Sequence, residues 1–252
     1  MRTFLQSDKA LITCMVQANN PDRVKELILK SRPEGAEAYG MQFCQLLPEY
    51  QNADVYKDLI AFAGNEPTYV TNYRYGTNVG KSDDELADGI LEIAKCGATL
   101  CDVMGDLFGR CKSELTEDKG AIAKQRKLID AIHEQGSQVL ISSHTFVFTP
   151  AERALEMALE QQRRGADIAK LVTGATTREQ QIENMRIINL LKENLEIPFL
   201  FLSTGDCRIL RRVGSALGNS MSLCVYEHDA FSTSEQPLLR DMVLLRDSLG
   251  IG

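Results

Sequence analysis

Short apolar runs alternate with longer amphipathic stretches about eight times along this chain of 252 residues. The apolar runs are continuous, which is typical of parallel strands covered on both faces by helices. Eight such units in about 250 residues match the usual size of a (β/α)8 barrel, so the pattern predicts an α/β protein with this fold. The predicted strands are Ala10–Val16, Gly35–Phe43, Thr68–Tyr73, Thr99–Met104, Gln138–Ser142, Ile168–Val172, Phe199–Ser203 and Ser220–Val225. The predicted helices are Pro21–Ser31, Asn52–Phe62, Ser82–Cys96, Thr116–Glu134, Thr149–Arg164, Thr177–Leu195, Cys207–Leu217 and Glu235–Leu249.

An open, doubly wound sheet is the competing architecture for such an alternating pattern. That sheet would carry a glycine-rich phosphate turn after its first strand, and the segment Met15–Asn20 contains no glycine. No linker rich in proline, glycine or serine divides the chain, so we predict one barrel domain over residues 1–252. Active-site residues of such barrels lie at the carboxyl ends of the strands, and candidates are therefore sought there.

The charge and the cysteine content argue against several classes of protein. A formal net charge of −7 opposes binding to nucleic acid or to an anionic membrane surface, because both partners are negatively charged. Seven cysteines without a C-x-x-C pair suggest neither a zinc site nor a disulfide framework. The segment Met1–Lys9 lacks the apolar core of a signal peptide, and no stretch approaches the roughly 18 apolar residues of a membrane helix. We therefore expect a cytoplasmic protein in a reducing compartment.

Lys170 lies in an apolar run, Ala166–Val172, that has the pattern of a buried strand. Burying an ammonium group is costly unless the group is paired, deprotonated or used in chemistry. Desolvation lowers the pKa of a lysine, and the neutral amine is the nucleophile that forms a Schiff base with a ketone or aldehyde. The alternative is a strand-end lysine whose head reaches water.

His144 follows the preceding predicted strand, after the run Val139–Ser143. Neighbouring strands lie about 5 Å apart, so we expect the heads of His144 and Lys170 to converge on one reacting carbon. The lysine would make an iminium that acidifies the adjacent C–H bond, and a histidine moves protons with a pKa near the working pH. A satisfied core or loop histidine is the alternative for His144 alone, but the pair on adjacent strands favours catalysis.

The sequence resembles the type I 3-dehydroquinate dehydratases of the shikimate and quinate pathways over essentially its whole length. The resemblance rests on the order and spacing of short landmarks, each at a predicted strand end or in the loop that follows. These landmarks are Ile141–His144 with Thr149-Pro150, then Asp167–Lys170, then Arg211 in the run Arg211–Gly214, then Ser232 followed by Gln236.

This resemblance implies a role for each landmark. Lys170 would form an imine with the substrate ketone, while His144 would remove the C2 proton and assist loss of the hydroxyl as water. Arg211 would pair with the substrate carboxylate, a task that suits a planar guanidinium, and Ser232 and Gln236 would support it. The family works without a metal or an organic cofactor, so none is expected, and the resemblance also implies a homodimer.

The second and third predicted strands carry further candidates for substrate binding. Arg74 resembles the arginine that the family has on its third strand. On the second strand the family carries a Glu-x-Arg pair that holds substrate hydroxyls, and this chain has Gly40-Met41-Gln42. The carboxylate is replaced by nothing and the guanidinium by the neutral amide of Gln42. Each lost charged contact would cost a polyol substrate about 1.5–3 kcal/mol.

The fourth predicted strand lacks the glutamate that orients the catalytic histidine in the family, and Met104 stands in its place. Asp102 and Asp106 flank Met104 at two-residue steps, so both would share its face if the strand continued. Either is a candidate for the carboxylate that orients the histidine.

The sequence therefore predicts a Schiff-base lyase that dehydrates 3-dehydroquinate or a related cyclic keto acid. A class I aldolase on the same barrel is one alternative, since it uses the same lysine to break a C–C bond. A non-catalytic sensor of a carboxylate ligand, descended from the enzyme, is the other alternative, because the hydroxyl-binding residues have changed.

Overall fold

A computed structural model describes residues 3–5 and 9–251 and confirms the predicted (β/α)8 barrel. The strands are β1 (Leu11–Met15), β2 (Ala38–Gln42), β3 (Thr68–Thr71), β4 (Leu100–Met104), β5 (Gln138–His144), β6 (Ile168–Gly174), β7 (Phe199–Thr204) and β8 (Met221–Cys224). All recorded pairings between them are parallel, in the spatial order β7-β6-β5-β4-β3-β2-β1-β8. Every strand therefore ends at the same mouth of the barrel.

A helix follows each strand and packs outside the barrel. The helices are α1 (Pro21–Ser31), α2 (Ala53–Ala63), α3 (Asp83–Lys95), α4 (Lys119–Glu134), α5 (Ala151–Arg163), α6 (Arg178–Asn194), α7 (Leu210–Leu217) and α8 (Leu239–Leu249). Polar caps fix several helix starts: the side chains of Asn20, Asn52, Ser82, Asp118 and Thr177 each accept a hydrogen bond from a first-turn backbone N–H. Single 3₁₀ turns lie at Phe43–Gln45, Pro48–Tyr50 and Gly76–Asn78.

The inside of the barrel is apolar at its base and polar towards its mouth. Buried side chains from most of the strands form the inner cluster, among them Leu11, Leu100, Leu140, Ile168 and Leu200. Larger clusters pack between the outer face of the strands and the helices. Because this core fixes the strands rigidly, polar side chains near their carboxyl ends have defined positions.

Between β7 and β8 the barrel is closed by hydrogen bonds from an asparagine side chain, and among the described residues no full ladder of backbone hydrogen bonds joins these two strands. Asn219 precedes β8; its side-chain oxygen accepts from the Phe201 backbone N–H at 2.8 Å, and its amide donates to the Phe201 carbonyl at 2.9 Å. The backbone N–H of Ser220 donates to the Phe199 carbonyl at 2.9 Å. Asn219 therefore imitates a strand neighbour at the seam.

Some expectations from the sequence reach beyond the described residues. The domain range 1–252 and the N-terminal segment Met1–Lys9 both include residues that lie outside them, so the single-domain boundary and the absence of a signal peptide stay predictions. The homodimer also stays a prediction. Within residues 3–5 and 9–251, no helix is long and apolar enough to cross a membrane.

Candidate active site

A cavity of about 980 Å³ opens at the carboxyl ends of the strands. Its lining includes Lys170, His144, Arg74 and Arg211, together with side chains from the loops that follow β4 and β8. The structure therefore brings most of the predicted site residues to one place. This is the end of the barrel where such folds carry their active sites.

Lys170 lies in the middle of β6, so it is not the strand-end lysine of the alternative interpretation. Its side chain is only 5% exposed. The Nζ atom donates to Tyr69 Oη at 2.7 Å, to Tyr73 Oη at 2.9 Å and to Asp102 Oδ2 at 3.2 Å. Burial lowers the pKa of Lys170, and the neighbouring Asp102 carboxylate opposes that change. The net direction is downward, which favours the neutral, nucleophilic amine.

Asp102 is the acceptor at the centre of this buried network. Its Oδ2 atom accepts hydrogen bonds from the hydroxyls of Tyr69 and Tyr73 as well as from Lys170, and Oδ1 accepts from Ser142 Oγ at 2.5 Å. Burial, reinforced by the Asp102 charge, raises the pKa of Tyr69 and of Tyr73 well above the usual value. Both phenols are therefore protonated at neutral pH.

His144 ends β5, beside this network. Its ring lies edge-on to the Tyr73 ring at 5.4 Å between centroids and is stacked on Phe146 at 5.9 Å. Burial, followed by the nearby Lys170 charge, lowers the pKa of His144, while Glu114 acts in the opposite direction. The imidazole is therefore poised as a neutral base.

Glu114 is the carboxylate that holds His144. Its Oε2 atom accepts from the His144 backbone N–H at 2.7 Å and lies 3.2 Å from Nδ1. Because a carboxylate only accepts, Nδ1 carries the proton of the neutral ring and Nε2 is left as the base. Burial alone would raise the pKa of Glu114, but the contacts with His144 outweigh it and the pKa is lowered.

Neither aspartate proposed to orient the histidine contacts it in the structure. Asp102 serves Lys170, and Asp106 accepts from Arg74 Nη1 at 2.5 Å and from the Cys111 backbone N–H at 3.0 Å. The orienting role therefore moves to Glu114. That residue lies ten positions after Met104 in an irregular loop, with a φ of 49°, and no periodic pattern marks it.

Arg74 lies at the cavity wall with its guanidinium held by protein carboxylates. Nε and Nη2 donate to the two oxygens of Asp83 at 2.7 and 2.8 Å, and Nη1 donates to Asp106. Nη2 also donates to the Asp106 backbone carbonyl at 3.0 Å. The structure gives Arg74 a bracing role between β3, the start of α3 and the loop after β4, and its contact with substrate stays a prediction.

Arg211, from α7, is different because its terminal nitrogens have no hydrogen-bond partner among the described residues. Nε donates to the Ser203 carbonyl at 2.9 Å, and Glu235 Oε2 lies 3.8 Å from the same Nε. Burial lowers the pKa of Arg211, although Glu235 opposes this. A buried guanidinium with free terminal N–H groups on a cavity wall is suited to a substrate carboxylate.

Ser232 and Gln236, in the loop between β8 and α8, also line the cavity. Ser232 Oγ accepts from the Asp229 backbone N–H at 2.8 Å, and Gln236 Oε1 accepts from the Thr233 backbone N–H at 3.0 Å. These bonds shape the loop, and both side chains line the same cavity as Arg211.

Gln42 anchors a neutral polar cluster at another wall of the cavity. Its Oε1 atom accepts from Gln17 Nε2 at 2.6 Å, Gln45 Nε2 at 2.9 Å and Tyr75 Oη at 2.5 Å. This cluster stands where the resemblance places a charged pair, so the wall offers amides and a phenol in place of a carboxylate and a guanidinium.

Gly40 stands where the resemblance places a glutamate, and neighbouring side chains occupy the space of the absent side chain. Met15, Gly40 and Tyr69 occupy one register row on β1, β2 and β3. A Cβ atom on Gly40 would lie 2.1 Å from Met15 Sδ and 3.4 Å from Tyr69 Cδ1. Met15 therefore occupies the space that a side chain at this position of β2 would need, and Tyr69 borders it.

The fold and the site together define a class of protein: a (β/α)8 barrel that carries a buried lysine and a histidine at the mouth. Within that class, the chain belongs to the type I 3-dehydroquinase family, whose model matches residues 81–250. This match includes Lys170, His144, Arg211, Ser232 and Gln236, and it excludes the altered second strand.

Curated relatives agree over a shorter stretch. The 3-dehydroquinate dehydratase of Syntrophotalea carbinolica is 28% identical over 112 residues, which is 43% of this chain and 43% of that protein. The catabolic 3-dehydroquinate dehydratase of Acinetobacter baylyi is 30% identical over 111 residues, or 43% of this chain and 40% of that protein. The matched region thus spans less than half the length of these relatives.

Solved structures resemble the whole barrel. The 3-dehydroquinate dehydratase of Geobacillus kaustophilus has a TM-score of 0.83 at 16% identity and covers 99% of this chain and 96% of its own. The type I enzyme of Clostridium difficile, solved with covalently modified comenic acid, has a TM-score of 0.81 at 15% identity and covers 97% of this chain and 94% of its own. At such identities the likeness establishes the fold.

Proposed function

We propose that this protein is an imine-forming lyase that dehydrates 3-dehydroquinate or a related cyclic keto acid. The observation that carries the proposal is the environment of Lys170, whose Nζ lies at the wall of a cavity 3.2 Å from a proton acceptor, Asp102. Membership of the type I 3-dehydroquinase family supports the same chemistry. The reaction needs three groups in one cavity, an amine, a base and a carboxylate anchor, and Lys170, His144 and Arg211 supply them.

The reaction begins when Lys170 passes a proton to Asp102 and the neutral amine attacks the substrate ketone. Loss of the ketone oxygen as water leaves an iminium, which withdraws electrons from the neighbouring C–H bond. His144 Nε2 removes that proton and an enamine forms. The enamine then expels the hydroxyl on the next carbon, and the same imidazole returns its proton so that water leaves. Hydrolysis of the conjugated iminium frees Lys170 and the product.

The cavity wall around Gln42 offers neutral groups to substrate hydroxyls in place of the charged pair of the family. It therefore favours a substrate that does not depend on charged contacts to its hydroxyls. The neutral cluster around Gln42 and the space filled by Met15 replace the charged pair that the resemblance implies. We therefore include cyclic keto acids other than 3-dehydroquinate among the substrates to be tested. Arg211 retains the carboxylate requirement in all of them.

Trapping the imine tests the proposal directly. The protein is incubated with 3-dehydroquinate and borohydride, its intact mass is measured and the adduct is located by peptide mapping. We expect a reduced adduct on Lys170 and release of 3-dehydroshikimate in the absence of borohydride. Lys170→Met should abolish both, whereas Lys124→Met, at a surface site, should abolish neither. A folded wild-type protein that gives no adduct with 3-dehydroquinate or other cyclic keto acids would contradict the proposal.

The same experiment separates the two alternatives. A class I aldolase would also label Lys170, but it would release an aldehyde fragment in place of water. A non-catalytic carboxylate sensor would bind its ligand without a reducible adduct, and Arg211→Ala would abolish binding while Lys170→Ala left it nearly intact. Three hydroxyl groups, from Tyr69, Tyr73 and Ser142, gather around the lysine nitrogen and its acceptor Asp102. That is more than a sensor requires, which is why the lyase is preferred.

A further inference from the structure

Two phenol hydroxyls bridge the buried lysine and the buried aspartate. Tyr69 Oη and Tyr73 Oη each accept from Lys170 Nζ and each donate to Asp102 Oδ2. We propose that Tyr73 is a catalytic residue of imine formation, and that its hydroxyl carries protons between Asp102 and the carbinolamine that forms on Lys170. This inference rests on the proposed function and assigns a residue to the step that precedes dehydration.

The position of Tyr73 distinguishes it from Tyr69. Tyr69 is 1% exposed, with its ring packed beside Gly40. Tyr73 is partly exposed and its ring meets that of His144 at 5.4 Å. Both phenols line the cavity, and we place the oxygen of a ketone bonded to Lys170 Nζ on the side of Tyr73 because Tyr73 is the more exposed of the two and adjoins His144. The Tyr73 hydroxyl is 2.9 Å from Nζ and 2.5 Å from Asp102 Oδ2, within reach of both ends of the transfer.

The protons balance along this route. Lys170 first gives one proton to Asp102. Attack by the neutral amine forms the C–N bond and turns the C=O bond into an alkoxide beside a cationic nitrogen. Tyr73 gives its proton to the alkoxide while it accepts one from the nitrogen, which produces the neutral carbinolamine. Asp102 then returns its proton through Tyr73 to the carbinolamine hydroxyl, water leaves with the C–O electron pair, and the nitrogen lone pair completes the iminium.

The protonated state of the phenol suits a relay. Burial and the Asp102 charge raise the pKa of Tyr73 well above the usual value, so the hydroxyl keeps its proton between transfers. A hydroxyl can donate and accept at once, whereas the Asp102 carboxylate alone has no proton to offer at the start of the cycle. His144 remains free for the C–H proton, because its Nδ1 faces Glu114.

Oxygen exchange isolates this step from the later elimination. Reversible imine formation replaces the substrate carbonyl oxygen with oxygen from water, so ¹⁸O incorporation into 3-dehydroquinate is followed by mass spectrometry under single-turnover conditions. In parallel, α-deuterium exchange in D₂O reports C–H removal. The variants are Tyr73→Phe, Tyr69→Phe, His144→Ala and, as a control for loss of a buried phenol outside the barrel, Tyr56→Phe.

We expect Tyr73→Phe to slow enzyme-dependent ¹⁸O exchange by about 10²–10⁴-fold, the range of general acid–base catalysis, with α-deuterium exchange limited by the same step. His144→Ala should retain most of the ¹⁸O exchange and lose α-deuterium exchange. The assignment to Tyr73 is overturned if Tyr73→Phe keeps wild-type ¹⁸O exchange, or if Tyr69→Phe and Tyr56→Phe lose as much. A wild-type protein with neither exchange nor borohydride trapping would overturn the lyase itself, which is a different result from a Tyr73→Phe variant that exchanges normally.

Discussion

Met15 fills the space next to Gly40, so β2 presents no side chain to a substrate at that position. Adding one methyl group there tests this explanation. In Gly40→Ala, the new Cβ would lie 2.1 Å from Met15 Sδ and 2.7 Å from Met15 Cε. Carbon and sulfur atoms need well over 3 Å, so Met15 must leave its rotamer. Met15 is only 3% exposed and is packed in the inner cluster. We expect the free energy of unfolding to fall by about 1–3 kcal/mol, the usual cost of overpacking.

A double-mutant cycle separates this clash from any intrinsic effect of alanine on β2. Met15→Ala alone should cost about 2–5 kcal/mol, because it leaves a cavity. In Met15→Ala/Gly40→Ala the new methyl group occupies part of that cavity. The double variant should therefore be more stable than the sum of the single losses by about 0.5–3 kcal/mol.

Urea unfolding followed by far-UV circular dichroism measures the three variants, provided that each transition fits two states. Leu191, on α6, lies in the cluster between the helices and the outer face of the strands. Leu191→Ala combined with Gly40→Ala gives the matched control cycle, and the two losses of stability should add. An additive result for Met15 and Gly40, within about 0.5 kcal/mol, would refute the claim that Met15 fills the space of the missing side chain. A Gly40→Ala variant that is as stable as the wild type would refute the same claim.

Two further predictions concern the charged groups of the site. Glu114→Gln should lower kcat about 10- to 100-fold, because the neutral amide no longer holds the Nδ1 proton with a charge and its NH2 group can favour the other tautomer of His144. The pH–rate profile should also move: Glu114 raises the pKa of His144, so loss of its charge should shift the acidic limb to lower pH. The surface variant Glu117→Gln should change neither kcat nor the profile. Arg74→Met should lower the free energy of unfolding by about 3–5 kcal/mol in urea titrations, as expected when one partner of a partly buried ion-pair network is removed; a variant with wild-type stability and only a raised KM would instead restore Arg74 as a substrate ligand.

The fold could be predicted because its information is local. Continuous apolar runs at regular spacing require a parallel sheet covered by helices, and helix starts such as Pro21 are set by neighbouring residues. The strand ends were less accurate: β5 and β6 continue to His144 and Gly174, beyond the predicted Ser142 and Val172. These final residues, such as Ser143 and His144 on β5, are polar or small, so the hydrophobic pattern stops before the hydrogen-bonded ladder does.

The site could be predicted only in part, for a related reason. Lys170 and His144 were found because each ends or follows an apolar run on adjacent strands. Tyr69 and Tyr73 were missed because their partner is 101 and 97 positions away and lies across the barrel, while on their own strand they resemble ordinary β aromatics. Glu114 was missed because it approaches His144 from an irregular loop. Contacts of this kind depend on closure of the barrel, which leaves no periodic mark in the sequence.

The changes on the second strand are compatible with the proposed imine chemistry because the exchange is neutral in charge. Relative to the pair that the resemblance implies, Gly40 removes one negative charge and Gln42 removes one positive charge, so the net charge around the cavity does not change. The pKa of Lys170 depends chiefly on burial and on Asp102, and the recorded hydrogen bonds of the Gln42 side chain go to other residues, not to Asp102 or Lys170. Among the described residues, the terminal nitrogens of Arg211 have no hydrogen-bond partner in any case. The wall around Gln42 can thus diverge while Lys170, Asp102 and Arg211 remain, so under the proposed function the choice of substrate can change without a change of mechanism.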